Sequence, residues 1–256
     1  MGRPVEGAVP AEAGSTSSSM AQPPGPALTV RVRLLVLAAA ALAFSTHFFP
    51  SPQLRVWLAR LAGDPSMVGP GRVFCHLFLF STLTALVSFA VWSLLAARGW
   101  LPRPREWFGP GPRPVATAVH GVIAGVALSA FFVGLVAAVS AAGVTTGLRV
   151  ALSRFDGWDA VANLFSNFYE EIVYRGLMLL TIVRVSGRPW LGVILSSLVF
   201  GLVHTQYGIV MMSTVAIGGA AMAWVCLRTR SLWSAWAVHM LTDILVPLFI
   251  GIPGAR

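Results

Sequence analysis

The sequence contains no lysine: its 18 basic residues are all arginine, set against only nine acidic ones. Charged residues make up 11% of the 256 residues and hydrophobic ones 56%. A soluble domain carries about 25% charged residues, so this little charge cannot coat a water-facing surface. Disorder, coiled coil and collagen are excluded for the bulk of the chain. Two cysteines are too few for a disulfide scaffold. Cys75 and Cys226 both fall in apolar runs, near opposite faces of the expected membrane, so no bridge between them is expected. Two motifs are also missing: a Gly-x-Ser-x-Gly elbow and a His-Glu-x-x-His zinc helix. Serine and zinc-helix hydrolysis are disfavoured accordingly.

What remains is a polytopic helical membrane protein. Seven apolar runs occupy residues 34–49, 73–97, 115–142, 160–183, 190–204, 208–226 and 232–251. Most reach the roughly 17–25 residues that cross a bilayer. The run at 190–204 is short and is expected to continue through Thr205–Tyr207. The predicted fold class is an all-α transmembrane bundle of about seven spans, or eight if an amphipathic segment around Pro50–Arg60 adds one. Residues 1–30, rich in Pro, Ala, Ser and Gly, read as a disordered tail.

The arginines explain the net charge of +9 without a nucleic acid. Arg98, Arg103, Arg105 and Arg113 fill one short loop, Arg184 and Arg188 another, Arg228 and Arg230 a third. This alternation is the positive-inside pattern, with the N-terminus inside and the C-terminus outside. Arg55, Arg60 and Arg72 run against it. A lipid bilayer is the expected partner and nucleic acid is not. The arginine-only usage points to GC-rich coding and, with the compact size, to a bacterial inner (cytoplasmic) membrane.

Gly121-xxx-Gly125 with Ser129, and the run Gly218–Ala221, are small-residue stripes that read as close helix packing. Trp233 and Trp236 read as interfacial anchors. His47, His76 and His120 have no partner pattern and read as structural.

Three of the nine acids lie inside apolar runs: Glu170, Glu171 and Asp243. Arg175, His204 and His239 join them. An ionisable residue at a membrane-helix centre costs about 2.5–3.5 kcal/mol even on lenient scales, so such residues are functional candidates. Glu171 and Arg175 stand four apart and share a helix face. Glu170 is rotated from Glu171 by about 100° and points elsewhere. His239 and Asp243 are again four apart. Three helices can thus bring one free Glu, two His and one Asp around a single cavity. A carboxylate withdrawn from bulk water is a competent general base, and a second His can hydrogen-bond a developing oxyanion. That is the equipment for amide hydrolysis. Two His and a carboxylate also match a catalytic zinc set. Two other classes share the features. One is a non-catalytic immunity or scaffold protein binding a membrane peptide. The other is a proton-coupled transporter, against which the lack of an internal repeat speaks.

Glu-Glu-x-x-x-Arg at 170–175, Phe-x-x-x-His at 200–204 and His-x-x-x-Asp at 239–243 resemble the motifs of the CAAX-protease and bacteriocin-processing (CPBP, Abi) intramembrane proteases. The eukaryotic relatives are of the Rce1 type. The resemblance covers about residues 160–250. It implies a metal-free glutamate protease rather than a zinc enzyme, with no cofactor. It implies that Glu170 with His204 activates water, and that His239 and Asp243 form the oxyanion side. It makes Glu171 and Arg175 architectural and packs Phe200 beside the site. Family members usually carry Asn where this chain has Asp243. An ionised carboxylate cannot donate, so Asp243 either orients His239 or is itself protonated, and His239 becomes the main oxyanion donor. The implied organisation is 31–145 as N-terminal transmembrane helices and 146–256 as an Rce1-like catalytic core. The implied substrate is a membrane-associated protein or peptide, such as a C-terminal hydrophobic sorting or anchor segment of an exported protein. The predicted orientation puts Glu170 and His204 in the outer half of the membrane and His239 nearer the middle or inner half.

Overall fold

A computed structural model describes residues 27–45, 82–143, 149–150, 157–204 and 208–251. His47, Cys75, His76, Arg55, Arg60, Arg72, the Pro50–Arg60 segment, Thr205–Tyr207 and the tail up to residue 26 lie outside the described residues.

The apolar runs become helices. They are α1 (Val30–Ser45), α2 (Thr82–Ala97), the short α3 (Pro104–Trp107), α4 (Pro114–Ala141) and α5 (Gly157–Glu171). The last of these continues as a π-helical stretch, Ile172–Leu179, and then as α6 (Leu180–Ser186). After it come α7 (Pro189–Leu202), α8 (Gly208–Thr229) and α9 (Leu232–Phe249). Two-residue strands, β1 (Arg149–Val150) and β2 (Ile250–Gly251), pair antiparallel beside the end of α9. Prolines open α3, α4 and α7, where a missing N–H costs nothing and the fixed φ suits the first turn. Gly187 closes α6 in the left-handed conformation at φ 69°, and its N–H reaches the Val183 carbonyl at 2.8 Å.

Three helices are long and apolar enough to cross a membrane: Pro114–Ala141, Ile209–Thr229 and Leu232–Phe249. Among the described residues these are the three candidate spans, and the expected count of seven or eight is not reached there. Helices α1, α2 and α7 have 16, 16 and 14 residues. The α5–π–α6 segment is interrupted by Glu170, Glu171 and Arg175.

Small residues set the packing. A methyl group at Gly125 of α4 would sit 2.9 Å from the Leu241 Cβ of α9, and one at Gly121 would sit 3.1 Å from the Ala237 Cβ. At Gly201 of α7 it would sit 2.6 Å from the Met212 carbonyl of α8. Both helix pairs approach more closely than a Cβ allows, the contact mode of helices that gain nothing from hydrophobic exclusion in lipid. Trp92, Tyr174, Leu177, Phe200, Leu232, Ala235 and Val238 fill the interior, while Leu86, Val122, Ile123, Leu198 and Ile209 face outward. An apolar exterior around a close-packed interior suits a bilayer.

Trp233 and Trp236 are tied inward as well as lying partly exposed. Their indole N–H groups donate to the carbonyls of Phe108 and Leu164, and Phe168 packs on both rings. Together they brace α5 against α9 and the loop after α2.

Candidate active site

The last turn of α5 and the π-helical stretch after it carry the first motif. A π-turn widens the helix and recurs at functional sites. Glu171 is fully buried there. Its Oε1 accepts from Arg175 Nη1 at 3.0 Å and from His239 Nδ1 at 2.9 Å. A buried carboxylate persists only when its charge is matched, and Arg175, itself 1% exposed, matches it. Arg175 also sends Nη2 to the Gly219 carbonyl at 3.4 Å and lies 4.5 Å over the Phe200 ring. One guanidinium thereby joins the motif helix, α7 and α8.

Phe200 is 2% exposed and gathers the site around itself. Its ring centroid lies 5.0 Å from that of His204, 5.7 Å from that of His239 and 4.8 Å from that of Tyr174. His204 Nδ1 is 2.7 Å from the Phe200 carbonyl. A carbonyl only accepts, so Nδ1 carries the proton and Nε2 is the acceptor of the neutral ring.

The same logic fixes His239. Its Nδ1–H goes to Glu171, and its Nε2 lies 3.9 Å from Glu170 Oε2 and 3.9 Å from Asp243 Oδ2. Those two separations are too long for direct hydrogen bonds. Both suit a small polar group between the partners. Glu170 is 24% exposed, whereas Glu171 is sealed, and it stands within coulombic reach of both histidines and both other carboxylates. Three carboxylates, one guanidinium and two imidazoles thus share one region.

Glu170, Glu171, Arg175, Phe200, His204, His239 and Asp243 come together here, as their spacing allows. Two details differ from expectation. First, the hydrogen bond that orients His239 comes from Glu171, not Asp243. Second, His239 and Glu170 stand side by side rather than at different depths, because the bounds of an apolar run do not fix a helix's tilt. His120 lies apart on the exposed face of α4, bonded to the Ala116 carbonyl of its own helix.

Asn167 was missed by sequence reasoning. It is 3% exposed, and its Nδ2 donates to Asp243 Oδ2 at 2.9 Å. The available signal was a buried-type amide four residues before Glu171, on the same face of an apolar helix.

Among the described residues, no three His, Cys, Asp or Glu side chains are arranged to hold a metal ion. A cavity of about 560 Å³ away from the motif residues is lined by Leu101, Trp107, Arg184 and Arg230.

Charged and imidazole side chains are thus gathered among apolar helices. Residues 157–245 match the family model described as type II CAAX prenyl endopeptidase Rce1-like. Over these residues, about a third of the chain, the protein is similar to the CAAX-protease (CPBP) family, whose members are intramembrane proteases. With its three long apolar helices, the chain is an integral membrane protein. No curated protein and no solved structure matches the chain.

Proposed function

We propose that this protein is a glutamate-type intramembrane endopeptidase, with its catalytic core in residues 146–256, acting without a metal. The observation that carries the reading is His239 Nε2, flanked at 3.9 Å by Glu170 and by Asp243 and backed at Nδ1 by Glu171. Water lodged beside Glu170 and His204 gives a proton to the Glu170 carboxylate as its oxygen attacks the scissile carbonyl carbon. The carbonyl becomes a tetrahedral oxyanion. His239 can donate to it only as imidazolium, because its Nδ1–H is already given to Glu171, and the Glu171 carboxylate supports that charge. The C–N bond then breaks, the proton passes to the leaving amine, and Glu170 is again a carboxylate. Arg175 holds Glu171 in place through its 3.0 Å contact.

The substrate is a membrane-associated protein or peptide. In a bacterial inner membrane the candidates are peptide precursors and C-terminal hydrophobic sorting segments of exported proteins, which an outward-opening site would meet. The test compares the membrane proteomes of cells carrying the wild type or Glu170→Ala at matched expression, reading new N- and C-termini. Precursors that stay uncut in the variant give the activity and its substrates together. Unchanged termini would overturn the protease and favour a non-catalytic immunity or scaffold protein.

A further inference from the structure

Asp243 stands one helical turn after His239 on α9, where a carboxylate would ordinarily close onto the imidazole as an i, i+4 pair. It does not close. Its Oδ2 stops 3.9 Å from His239 Nε2 and instead accepts from Asn167 Nδ2 at 2.9 Å. Asn167 belongs to a different helix, α5, and is buried, with Nδ2 also 3.5 Å from Met240 Sδ and its Oδ1 3.5 Å from Ser166 Oγ. Asn167 and Glu171 are four apart on α5 and its extension, as His239 and Asp243 are on α9. The two pairs form parallel polar contacts: Asn167 to Asp243, and Glu171 to His239. Pro247 adds to the difference at this turn, since it brings no N–H to the Asp243 carbonyl.

We infer that Asn167 is a positioning residue whose amide holds the Asp243 carboxylate off His239, keeping Nε2 open to the reacting group. Without that hold, Asp243 swings the remaining distance and pairs with Nε2 directly. The histidine is then occupied by its own helix and cannot serve an oxyanion. A hydrogen bond between an amide and a charged carboxylate is strong enough for this, being stronger than a neutral one, and its amide end is buried while the Asp243 carboxylate stays partly open. Asn167 itself is too buried to touch substrate. The catalytic part of the inference rests on the protease reading; the geometric part does not.

The experiment has two readouts on Asn167→Leu, which keeps the approximate volume and removes the donor. The first is 15N NMR of histidine-labelled full-length protein in lipid nanodiscs. The Nε2 resonance of His239 is expected to move while that of His204 stays. The second is cleavage of a precursor found to accumulate in the Glu170→Ala cells. Here kcat is expected to fall about tenfold or more with KM within about twofold. In an Asp243→Asn background, where no carboxylate can close, Asn167→Leu is expected to change the rate by less than about twofold. A His239 signal unmoved by Asn167→Leu would overturn the inference, as would an equal rate loss in the Asp243→Asn background. If Asn167→Leu does not fold, Asn167→Ser, which draws the donor back, is read the same way. Full cleavage by Glu170→Gln would sink the protease reading, while the NMR shift would still decide whether Asn167 holds Asp243.

Discussion

The Glu171 carboxylate and the His239 Nδ1 lie 2.9 Å apart, joining α5 to α9 at the base of the site. The same oxygen accepts from Arg175, so one buried atom ties the first motif helix to the third. Glu171 is thus more than the partner of Arg175. It sets which histidine nitrogen is left facing Glu170.

That arrangement separates stability from function. Glu171→Ala strands a buried guanidinium, and an unpaired buried charge costs about 3–5 kcal/mol. The double variant Glu171→Met/Arg175→Met is expected to regain most of that stability in thermal unfolding in detergent. Cleavage should remain lost in the double variant, because His239 has no anchor. Activity returning together with stability would refute the second role of Glu171.

Glu170 behaves differently. It is partly open, and Glu170→Gln keeps shape while removing the proposed base. The melting temperature should stay near that of the parent. Cleavage of an identified precursor should fall by about 10²–10⁴-fold, the range for a general base. A rate within a few fold of wild type would take Glu170 out of the mechanism.

Gly201 sets how closely α7 approaches α8. A Cβ there would sit 2.6 Å from a backbone oxygen of α8, and backbone cannot rotate aside. Gly201→Ala is expected to cost about 1–3 kcal/mol, as overpacking does. It should also disturb Phe200 on that helix and His204 in the turn after it. Unfolding in detergent measures the first effect and cleavage the second. An unchanged melting temperature would mean that α7 and α8 are not this close.

The proposed mechanism uses no metal ion. Cleavage by purified protein should change by less than about twofold in 1,10-phenanthroline or EDTA, since no catalytic zinc set of three converging ligands is formed among the described residues. Activity lost to the chelator and restored by added zinc would overturn the metal-free mechanism.

Much of this was legible in the residues. Runs of apolar side chains announce membrane helices, and each of the seven contributes a helix among the described residues, with turn or strand only at some run ends. The Gly121/Gly125 stripe does pack against α9, because small side chains at one-turn spacing make a flat strip on any helix. Glu171 with Arg175 could be paired from spacing alone. Other features had no such signal. The π-helical stretch at Ile172–Leu179 leaves the apolar pattern intact. The described residues carry three candidate spans, and parts of the first two apolar runs lie outside them. Asn167 lies in the same helix as the glutamates, but its partner is 76 positions away.

The sequence by itself determined the membrane class, the helices and the contacts within each helix, including Glu171 with Arg175. Those depend only on composition and on a period of 3.6 residues. Only the tertiary structure decided that Glu171 rather than Glu170 takes the back of His239. It also decided that Asn167 holds Asp243 and that Phe200 brings both histidines together. Each of those is a contact between helices. It is set by how the helices rotate, tilt and approach at Gly125 and Gly201, which no local pattern encodes.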